Sequence, residues 1–586
     1  MKWDLTLIYK NKDEFLSDLN SLDNDVKVIE GLKGNLNNET SLLEYKRASK
    51  SIGLKASKVF TYAMMAYDLN QKDNKAALEL QKVQQTYNDL MVRMAFVNPE
   101  IISYGKELIS NIVNSNEELK ILSYDMEKLF RNQDFYLDEK SEALMANYGN
   151  VVNSFSDLYD KLAVSDRNSV KVTISTGEEL ELNESNFQYY LGILNNQDDR
   201  RIVFEAIYNY YESHKNTFAT IYNGLMQSEL VDVKNRGYKN ILETHLYHNN
   251  IPSDVFYSLI ETASQENAPV KRYIELRRKY FNIDKYRTYD RFLQFKVSDV
   301  EYSYEASKNM VLDACKALGE DYYKHACEAL EDGRVSALTT DGKRTGAYST
   351  STYEEGTFIL LNHNDNLDSA FTVAHEAGHS IHSLYANENQ EFENANYTIF
   401  VAEIASTFNE QLFLDYIMKK SNNKDEKIAI LQQAIDNIVS TFYRQTLFAN
   451  YEDLAHKLVE QGIPVTCEAL SGIMEELYLK YYGIDLKDEP LKNNVWAYIP
   501  HFYHSPYYVY QYATSFAASL AIYENVKSGK KDALNNYIKM LSMGGSTYPV
   551  DIVKVAGVDL TKTDAFKAVV KRMDELVDQL EALLNE

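Results

Sequence analysis

The stretch Leu367–Glu388, LDSAFTVAHEAGHSIHSLYANE, decides the fold of the region on which the function of this chain depends. Its apolar residues recur at steps of three and four, which predicts a single amphipathic helix. On such a helix His375 and His379 lie one turn apart on the same face, so two imidazoles point toward one place. This is the geometry of two zinc ligands in a His-Glu-x-x-His motif.

Two further residues inside this motif have chemical consequences. Glu376 follows the first histidine, where it can accept a proton from a water on the metal without occupying the metal itself. Gly378 costs about 1 kcal/mol relative to alanine in a helix, which indicates a close approach by another element or by substrate. His382 is expected to support or pack against the site. The competing interpretation is an accidental match, but such a match need not fall on an amphipathic helix.

A third metal ligand is expected from the next helical segment, Tyr397–Met418. This segment carries Glu403 and Glu410, seven residues apart and therefore on one face. Small and apolar residues surround Glu403, which favours a metal as its partner over a buried salt bridge. Ligand histidines usually donate their second N–H to a carboxylate. Glu410 and Asp368 are candidates for that role, and we prefer Glu410.

A third block of sequence contains further candidate catalytic groups. Ser505 followed by Pro506 is typical of a helix start, so a helix is predicted from about 506 to the region of Gly529. Phenol and imidazole donors near a metal suit the oxyanion that forms when an amide is attacked. A packing surface is the alternative in a chain with 46 tyrosines. The candidate donors are His501, His504, Tyr507 and Tyr510.

The composition indicates a mainly α protein of more than one lobe. At 586 residues the chain exceeds the size at which a single core stops growing. Its 45% hydrophobic and 25% charged residues are typical of globular proteins. Only 8 prolines and 22 glycines interrupt the chain, so helical patterns run long.

The order of patterns along the chain predicts two domains. Residues 1–183 form an N-terminal helical region with a β-hairpin near 170–182, and residues 184–586 form the catalytic domain. Within the latter, residues 342–349 and 356–362 are predicted to be two strands joined by a loop. A small sheet is therefore expected beside the metal helix.

Charge and cysteine content exclude several classes of function. The formal net charge of −25 opposes binding to nucleic acid and to anionic membranes. Three scattered cysteines form neither a disulfide framework nor a thiolate metal site. The chain shows no secretory signal at its start and no apolar stretch long enough to span a bilayer. We expect a soluble cytoplasmic protein with neither nucleic acid nor membrane as a partner.

Three blocks in this order resemble the oligoendopeptidase F branch of the thimet oligopeptidase family of zinc metallopeptidases. They are HEAGH at 375–379, VAEIASTFNE at 401–410 and HFYHSPYYVYQYATS at 501–515. Weaker similarity at Trp3-Asp4-Leu5 and Arg236-Gly237-Tyr238 extends the resemblance over nearly the whole chain.

The resemblance implies a site and a fold. Glu403 would be the third ligand of one zinc ion per chain, and the groups that bind substrate and stabilise the transition state would be His501, Tyr507 and Tyr510. The spacing to the tyrosines is shorter than in the thimet oligopeptidase branch, so His504 remains an alternative to His501. The implied fold is a two-lobed, mainly helical body of the zincin type around a deep central channel. The segment Gly346–Tyr348 would dock an extended peptide at a sheet edge, and an ordinary structural hairpin is the alternative.

The resulting hypothesis is a zinc-dependent endopeptidase that hydrolyses short oligopeptides with Glu376 as general base. An exopeptidase is one alternative, with Arg344 or Arg444 capturing a terminal carboxylate. A catalytically silent peptide-binding protein is another, although the intact motif argues against it. The sequence leaves peptide preference and oligomeric state open.

Overall fold

A computed structural model describes residues 2–297 and 300–586 of the chain. It confirms the expected mainly α fold with small sheets. The α-helices are α1 (Lys12–Gly31), α2 (Glu39–Leu69), α3 (Asn74–Met94), α4 (Val97–Tyr104), α5 (Lys106–Ser115), α6 (Ser123–Asn132), α7 (Glu139–Asp160), α8 (Phe187–Ile193), α9 (Gln197–Arg236), α10 (Ile241–Tyr247), α11 (Ser253–Gln265), α12 (Ala268–Tyr280), α13 (Tyr304–Cys315), α14 (Glu320–Ala329), α15 (Leu367–Asn389), α16 (Phe392–Ala395), α17 (Ile399–Lys420), α18 (Lys424–Ile438), α19 (Arg444–Glu460), α20 (Cys467–Tyr482), α21 (Val495–Tyr498), α22 (His501–His504), α23 (Tyr510–Lys527), α24 (Ala533–Leu541), α25 (Pro549–Val555) and α26 (Asp564–Asn585).

Short helical turns and five strands complete the described structure. The 3₁₀ turns are Leu5–Leu7, Lys120–Leu122, Gln133–Phe135, Thr288–Phe292, Lys316–Leu318, Leu486–Asp488 and Pro490–Asn494, and the π turns are Lys161–Ser165 and Val439–Tyr443. The strands are β1 (Val170–Thr173), β2 (Glu179–Leu182), β3 (Val335–Leu338), β4 (Tyr348–Thr352) and β5 (Gly356–His363).

The chain folds into two compact units, each built from three separate segments. The first contains Met1–Asp134, Val300–Lys419 and Ile522–Val558, and the second contains Phe135–Asp299, Lys420–Ala521 and Asp559–Glu586. The expected hairpin is present, because β1 and β2 pair antiparallel with Val170 opposite Leu182. The domain boundary expected near residue 183 stays a prediction. No helix among the described residues is long and apolar enough to cross a membrane.

A three-stranded sheet in the first unit supports the helix that carries the HEAGH motif. Its strand order is β3-β5-β4, with β3 parallel and β4 antiparallel to the central β5. The middle of β5, from Phe358 to Leu361, is almost fully buried, and α15 packs on β5 and β4. The sheet expected from the sequence therefore lies beside this helix, with one strand more than predicted.

The first predicted strand of this sheet was placed too early. Residues 342–347 form an irregular segment, and the strand begins at Tyr348. Gly342 and Gly346 adopt φ angles of 79° and 83°, which turn the chain away from an extended path. Between them the Lys343 ammonium donates to the carbonyls of Ser336, Leu338 and Leu361 at 3.0, 2.7 and 2.6 Å. A buried lysine thus occupies the place that the sequence pattern assigned to strand pairing.

The close approach suggested by Gly378 is made by α17. A Cβ at this position would lie 2.5 Å from the carbonyl oxygen of Ala405 and 2.6 Å from the Cα of Ser406. Beside this crossing the side chain of Asn409 donates to the carbonyl of Ala374 at 3.2 Å and accepts from the Tyr322 hydroxyl at 2.7 Å. The backbones of the two helices therefore touch at Gly378, and a hydrogen bond from the Asn409 side chain links them beside this contact.

We expect the substitution Gly378→Ala to destabilise the protein by about 1–3 kcal/mol or more, because the new methyl group meets backbone atoms rather than a flexible side chain. The matched control is Gly472→Ala in α20, where an added Cβ meets nothing within 4 Å. This control should be neutral or stabilising by about 0.5–1 kcal/mol. Thermal unfolding of both variants measures the difference, and an equal response would contradict the close-contact argument.

Candidate metal centre

Three side chains from α15 and α17 direct one donor atom each to a common point. His375 Nε2 and His379 Nε2 are 3.2 Å apart, and Glu403 Oε2 lies 3.3 and 3.5 Å from them. Ligand atoms about 2.0–2.2 Å from a tetrahedral zinc ion lie about 3.3–3.6 Å from one another. The spacing of the three atoms therefore matches three corners of a tetrahedron around such an ion, with the fourth corner left for water or substrate.

The charges and the burial around the three donor groups favour binding of a cation. Burial lowers the pKa of His379 to about 4, so its imidazole is neutral and offers a lone pair. Burial also lowers the pKa of His375, but Glu403 and Glu410 outweigh it and raise this pKa well above the usual value. Burial raises the pKa of Glu403, but the two histidines have the larger combined effect and lower it. This pKa therefore lies well below its ordinary value. A bound metal ion would therefore be paired with an ionised carboxylate, and its binding would release a proton from His375.

Hydrogen bonds orient two of the three donors. Glu410 Oε1 lies 2.6 Å from His375 Nδ1, so Nδ1–H donates to the carboxylate and Nε2 is turned toward the other donors. The hydroxyl of Ser406 donates to Glu403 Oε2 at 3.0 Å. Of the two carboxylates considered from the sequence, the structure shows Glu410 bonded to the histidine.

Glu376 lies beside this group with an unused oxygen. Its side chain is 5% exposed, and Oε2 has no hydrogen-bond partner. Burial followed by Glu403 raises the pKa of this carboxyl to about 7, against the lowering effects of His375 and of the Ser349 N–H in β4. A buried carboxylate oxygen without a partner calls for a ligand, and a metal ion with a water molecule would supply one. The residues present therefore fit a catalytic metal.

His382 is a packing residue, as expected from the sequence. Its ring is 1% exposed and stacks on Tyr397 with centroids 3.6 Å apart. Burial lowers its pKa to about 3, so the ring is neutral.

The block of histidines and tyrosines at 501–512 belongs to the second unit, and its local structure differs from expectation. Instead of one helix from about 506, a short helix (α22) is followed by a turn, and α23 begins at Tyr510. At the turn Tyr507 adopts a left-handed φ of 53°. Its N–H donates to Glu452 Oε1 at 2.9 Å, and its ring packs on His245 and His456. The buried carboxyl group of Glu452, which is distant in sequence, thus binds the N–H of Tyr507, and the helix does not extend through this residue.

The candidate donors of this block have different surroundings. Tyr507 and Tyr510 are buried, with 3% and 1% exposure. His504 Nε2 pairs with the Asp160 carboxylate at 2.9 Å. His501 is partly exposed, and its Nε2 lies 3.5 Å from the hydroxyl of Tyr512.

Tyr508 and Tyr512, which the sequence analysis did not single out, lie next to His501. Both are partly exposed, and the centre of each ring is 6.0 Å from that of the His501 ring. Tyr508 lies in the turn before α23 and Tyr512 lies in the helix, so helical spacing gave no signal for this pair.

Comparison with known proteins identifies the family of this chain. A model of peptidase family M3 matches residues 193–572, and a model of oligopeptidase F matches residues 100–168. The chain is 33% identical over 528 residues to the oligopeptidase PepF of Bacillus subtilis, covering 90% of this chain and 78% of that protein. It is 30% identical over 588 residues to an oligoendopeptidase F homologue of Lactococcus lactis, covering 100% and 98%.

Solved structures extend the likeness to the fold. A structure from Chlamydophila abortus superposes with a TM-score of 0.90 at 30% identity, covering 99% of this chain and 98% of that one. Oligoendopeptidase-F from Enterococcus faecium gives 0.75 at 25% identity, covering 98% and 99%. The fold and the His-His-Glu group are those of a metallopeptidase. The chain belongs to peptidase family M3, and it is a metallo-endopeptidase with oligoendopeptidase F relatives.

We expect Glu410→Gln to weaken metal affinity about 10- to 100-fold, because the amide no longer stabilises the proton on His375 Nδ1 as a carboxylate does. Titration against a competing chelator measures this loss. The control is Glu388→Gln. Glu388 lies on α15, the helix that carries His375, but outside the donor group, and its carboxylate pairs with His325 at 3.0 Å. Equal metal affinity in the two variants would contradict a role for Glu410 in the metal centre.

Proposed function

We propose that this protein is a zinc-dependent endopeptidase that hydrolyses internal bonds of short oligopeptides, with Glu376 as general base. The observation that carries the proposal is the unpaired, buried Glu376 Oε2 beside three convergent donor atoms. Two imidazoles and a carboxylate with an open fourth position are the ligand set of catalytic zinc in peptidases. The oligopeptidase names of the relatives support short peptides as substrates.

The protein groups divide the reaction between them. His375, His379 and Glu403 would hold the zinc ion, which would supply a Lewis acid for the scissile carbonyl and lower the pKa of water. Glu376 takes the proton from the attacking water and returns it to the leaving amine. The Ser349 N–H of β4 favours the ionised form of the Glu376 carboxyl, which is the form that accepts a proton. No side chain needs to become covalently attached to the substrate.

The position of β4 supports the predicted docking of substrate at Gly346–Tyr348. In the sheet order β3-β5-β4 this strand lies at an edge, and an extended peptide pairs with such an edge through main-chain hydrogen bonds. Main-chain pairing tolerates different side chains, which suits a peptidase that degrades varied oligopeptides.

The exopeptidase alternative loses one of its candidate carboxylate binders. Arg344 forms an ion pair with Asp68 at 3.2 Å, and Asp68 is buried with 2% exposure. This arginine, although half-exposed, already has a carboxylate partner. The oligoendopeptidase F name of a relative supports cleavage at internal bonds.

The surroundings of the two histidines favour His501 over His504 as the predicted transition-state donor. His504 is paired with a carboxylate, whereas His501 faces the hydroxyl of Tyr512. Burial and His504 lower the pKa of His501, so its ring is neutral near pH 7 and its N–H can donate to a developing oxyanion.

The test is cleavage of an internally quenched nonapeptide blocked at both ends. The metal-loaded protein should cleave it at an internal bond, a chelator should abolish cleavage, and zinc should restore it. Glu376→Gln should keep its metal and lose at least about 100-fold in kcat, because the base that accepts the proton is gone. Glu388→Gln, on the same helix, should retain full activity. Cleavage that survives chelation, or a fully active Glu376→Gln, would contradict the mechanism.

A paired comparison assigns the histidines. We expect His501→Gln to lower kcat by about 10- to 100-fold or more with little change in KM, as removal of a transition-state donor does. His504→Gln should change kcat by less than about threefold. The reverse order would make His504 the donor.

A further inference from the structure

The turn between α22 and α23 depends on one unusual backbone conformation. Tyr507, in this turn, adopts a left-handed φ of 53°, which is unfavourable for a residue with a large side chain. The turn follows His501 in α22 and precedes Tyr512 in α23, whose hydroxyl lies 3.5 Å from His501 Nε2. The ring centres of Tyr508 and Tyr512 are each 6.0 Å from that of His501. The conformation of Tyr507 therefore determines how these two tyrosines lie against His501.

Glu452 in α19 holds the backbone of this turn. Its side chain is fully buried, and its Oε1 accepts a hydrogen bond from the N–H of Tyr507 at 2.9 Å. Burial raises the pKa of Glu452 to about 8, against the lowering effects of His456 and of the Tyr507 N–H. The carboxyl group is therefore mainly neutral at pH 7. It acts on the turn as a hydrogen-bond acceptor rather than as a charge.

Two histidines hold the ring of Tyr507. The ring centres of His245 and His456 lie 5.1 and 4.8 Å from that of Tyr507. The carboxylate of Glu229 joins the two imidazoles, with Oε1 2.7 Å from His245 Nε2 and Oε2 2.8 Å from His456 Nε2. His456 Nδ1 lies 2.7 Å from the backbone carbonyl oxygen of Glu452. One histidine therefore links the group that holds the backbone of Tyr507 to the groups that hold its ring.

The charges of these groups balance one another. Both ring nitrogens of His456 face oxygen acceptors, so both carry protons and the ring is an imidazolium. Burial lowers the pKa of His456, but Glu229 outweighs it and raises this pKa above its usual value. Burial raises the pKa of Glu229, but the two histidines outweigh it and lower this pKa. A buried pair that is satisfied internally makes its surroundings rigid.

We propose that Glu452 is a positioning residue for peptide hydrolysis, which acts through the N–H of Tyr507 to hold His501 in place. The inference rests on the proposed function, in which His501 is the transition-state donor. Such a donor must be aligned with the developing oxyanion, so a shift of about 1 Å costs up to about 100-fold in rate. His456 and Glu229 support Glu452 and the ring of Tyr507, so the position of His501 depends on groups that are distant in sequence.

The first test compares substitutions of Glu452 by cleavage of the blocked, internally quenched nonapeptide. Glu452→Gln keeps a neutral side chain of the same shape with an acceptor oxygen, so kcat should stay within about threefold of that of the parent protein. Glu452→Asp keeps the acid but withdraws it by one methylene, and should lower kcat about tenfold or more with little change in KM. Glu452→Leu has no acceptor and should lower kcat further. A requirement for the acid itself would give the reverse order of Glu452→Gln and Glu452→Asp.

Glu489→Leu is the matched control. Glu489 is a buried carboxylate of the same unit that accepts from the N–H of a distant residue, Thr288, at 2.9 Å. Both leucine variants should lower the melting temperature, but Glu489→Leu should keep kcat within about threefold of the parent value. Rates are compared at a temperature at which thermal unfolding shows every variant folded. The inference is overturned by equal losses of kcat in the two leucine variants, or by a Glu452→Asp variant as active as Glu452→Gln.

A second measurement does not depend on activity. NMR of the histidine Cε1–H groups gives one signal for each of the 11 histidines, and the signal of His501 is the one that His501→Gln removes. Because the rings of Tyr508 and Tyr512 lie beside His501, Glu452→Leu should shift this signal, as should Glu452→Asp if the leucine variant does not fold. Glu452→Gln and Glu489→Leu should leave it in place.

The two measurements separate failure of the inference from failure of the proposed function. An unmoved His501 signal in Glu452→Leu, or in Glu452→Asp where that variant replaces it, would overturn the inference whatever the activity. A shifted signal, together with a metal-loaded parent protein that cleaves no peptide, would contradict the proposed function and leave the positioning of His501 by Glu452 in place.

Discussion

The contact between the backbones of α15 and α17 at Gly378 is the constraint on which the metal centre depends. Because Gly378 has no side chain, the carbonyl of Ala405 approaches to a distance that a Cβ would forbid. The approach brings Glu403 over the Nε2 atoms of both histidines. It also brings Glu410, two turns further along α17, to the opposite side of the His375 ring. One close helix crossing therefore positions both a metal donor and the carboxylate that orients another donor.

The sheet contributes to the surroundings of the base. Glu376 is adjacent in sequence to a donor histidine, and the Ser349 N–H of the neighbouring strand β4 favours the ionised form of its carboxyl. Three carboxyl groups, those of Glu376, Glu403 and Glu410, are thus gathered around two imidazoles in a partly buried region. Such a concentration of negative charge is unfavourable in a protein interior unless a cation balances it, which is the physical reason that the donor group favours a metal.

In the second unit a buried carboxyl group defines the path of the chain. Glu452 accepts a hydrogen bond from the N–H of Tyr507 at 2.9 Å, and Tyr507 adopts a left-handed φ of 53° there. This conformation is unfavourable for a residue with a large side chain, so a contact from a distant part of the chain is needed to stabilise it.

The sequence by itself determined the features that depend on local spacing. The motif helix predicted at 367–388 is α15, the glutamate helix predicted at 397–418 is α17, and the hairpin near 170–182 is present, because residues four apart or two apart reveal the periods of helix and strand. The glycine at position 378 inside a helix likewise predicted a close contact. These features need no information from distant parts of the chain.

Only the tertiary structure decided the features that depend on partners far apart in sequence. Tyr507 leaves the helical path because Glu452, 55 residues earlier, captures its N–H. Strand β4 starts at Tyr348 because Lys343 is drawn to carbonyls of neighbouring strands. Local propensity is a weak determinant at such positions, since one hydrogen bond to a buried polar group or one steric contact outweighs it.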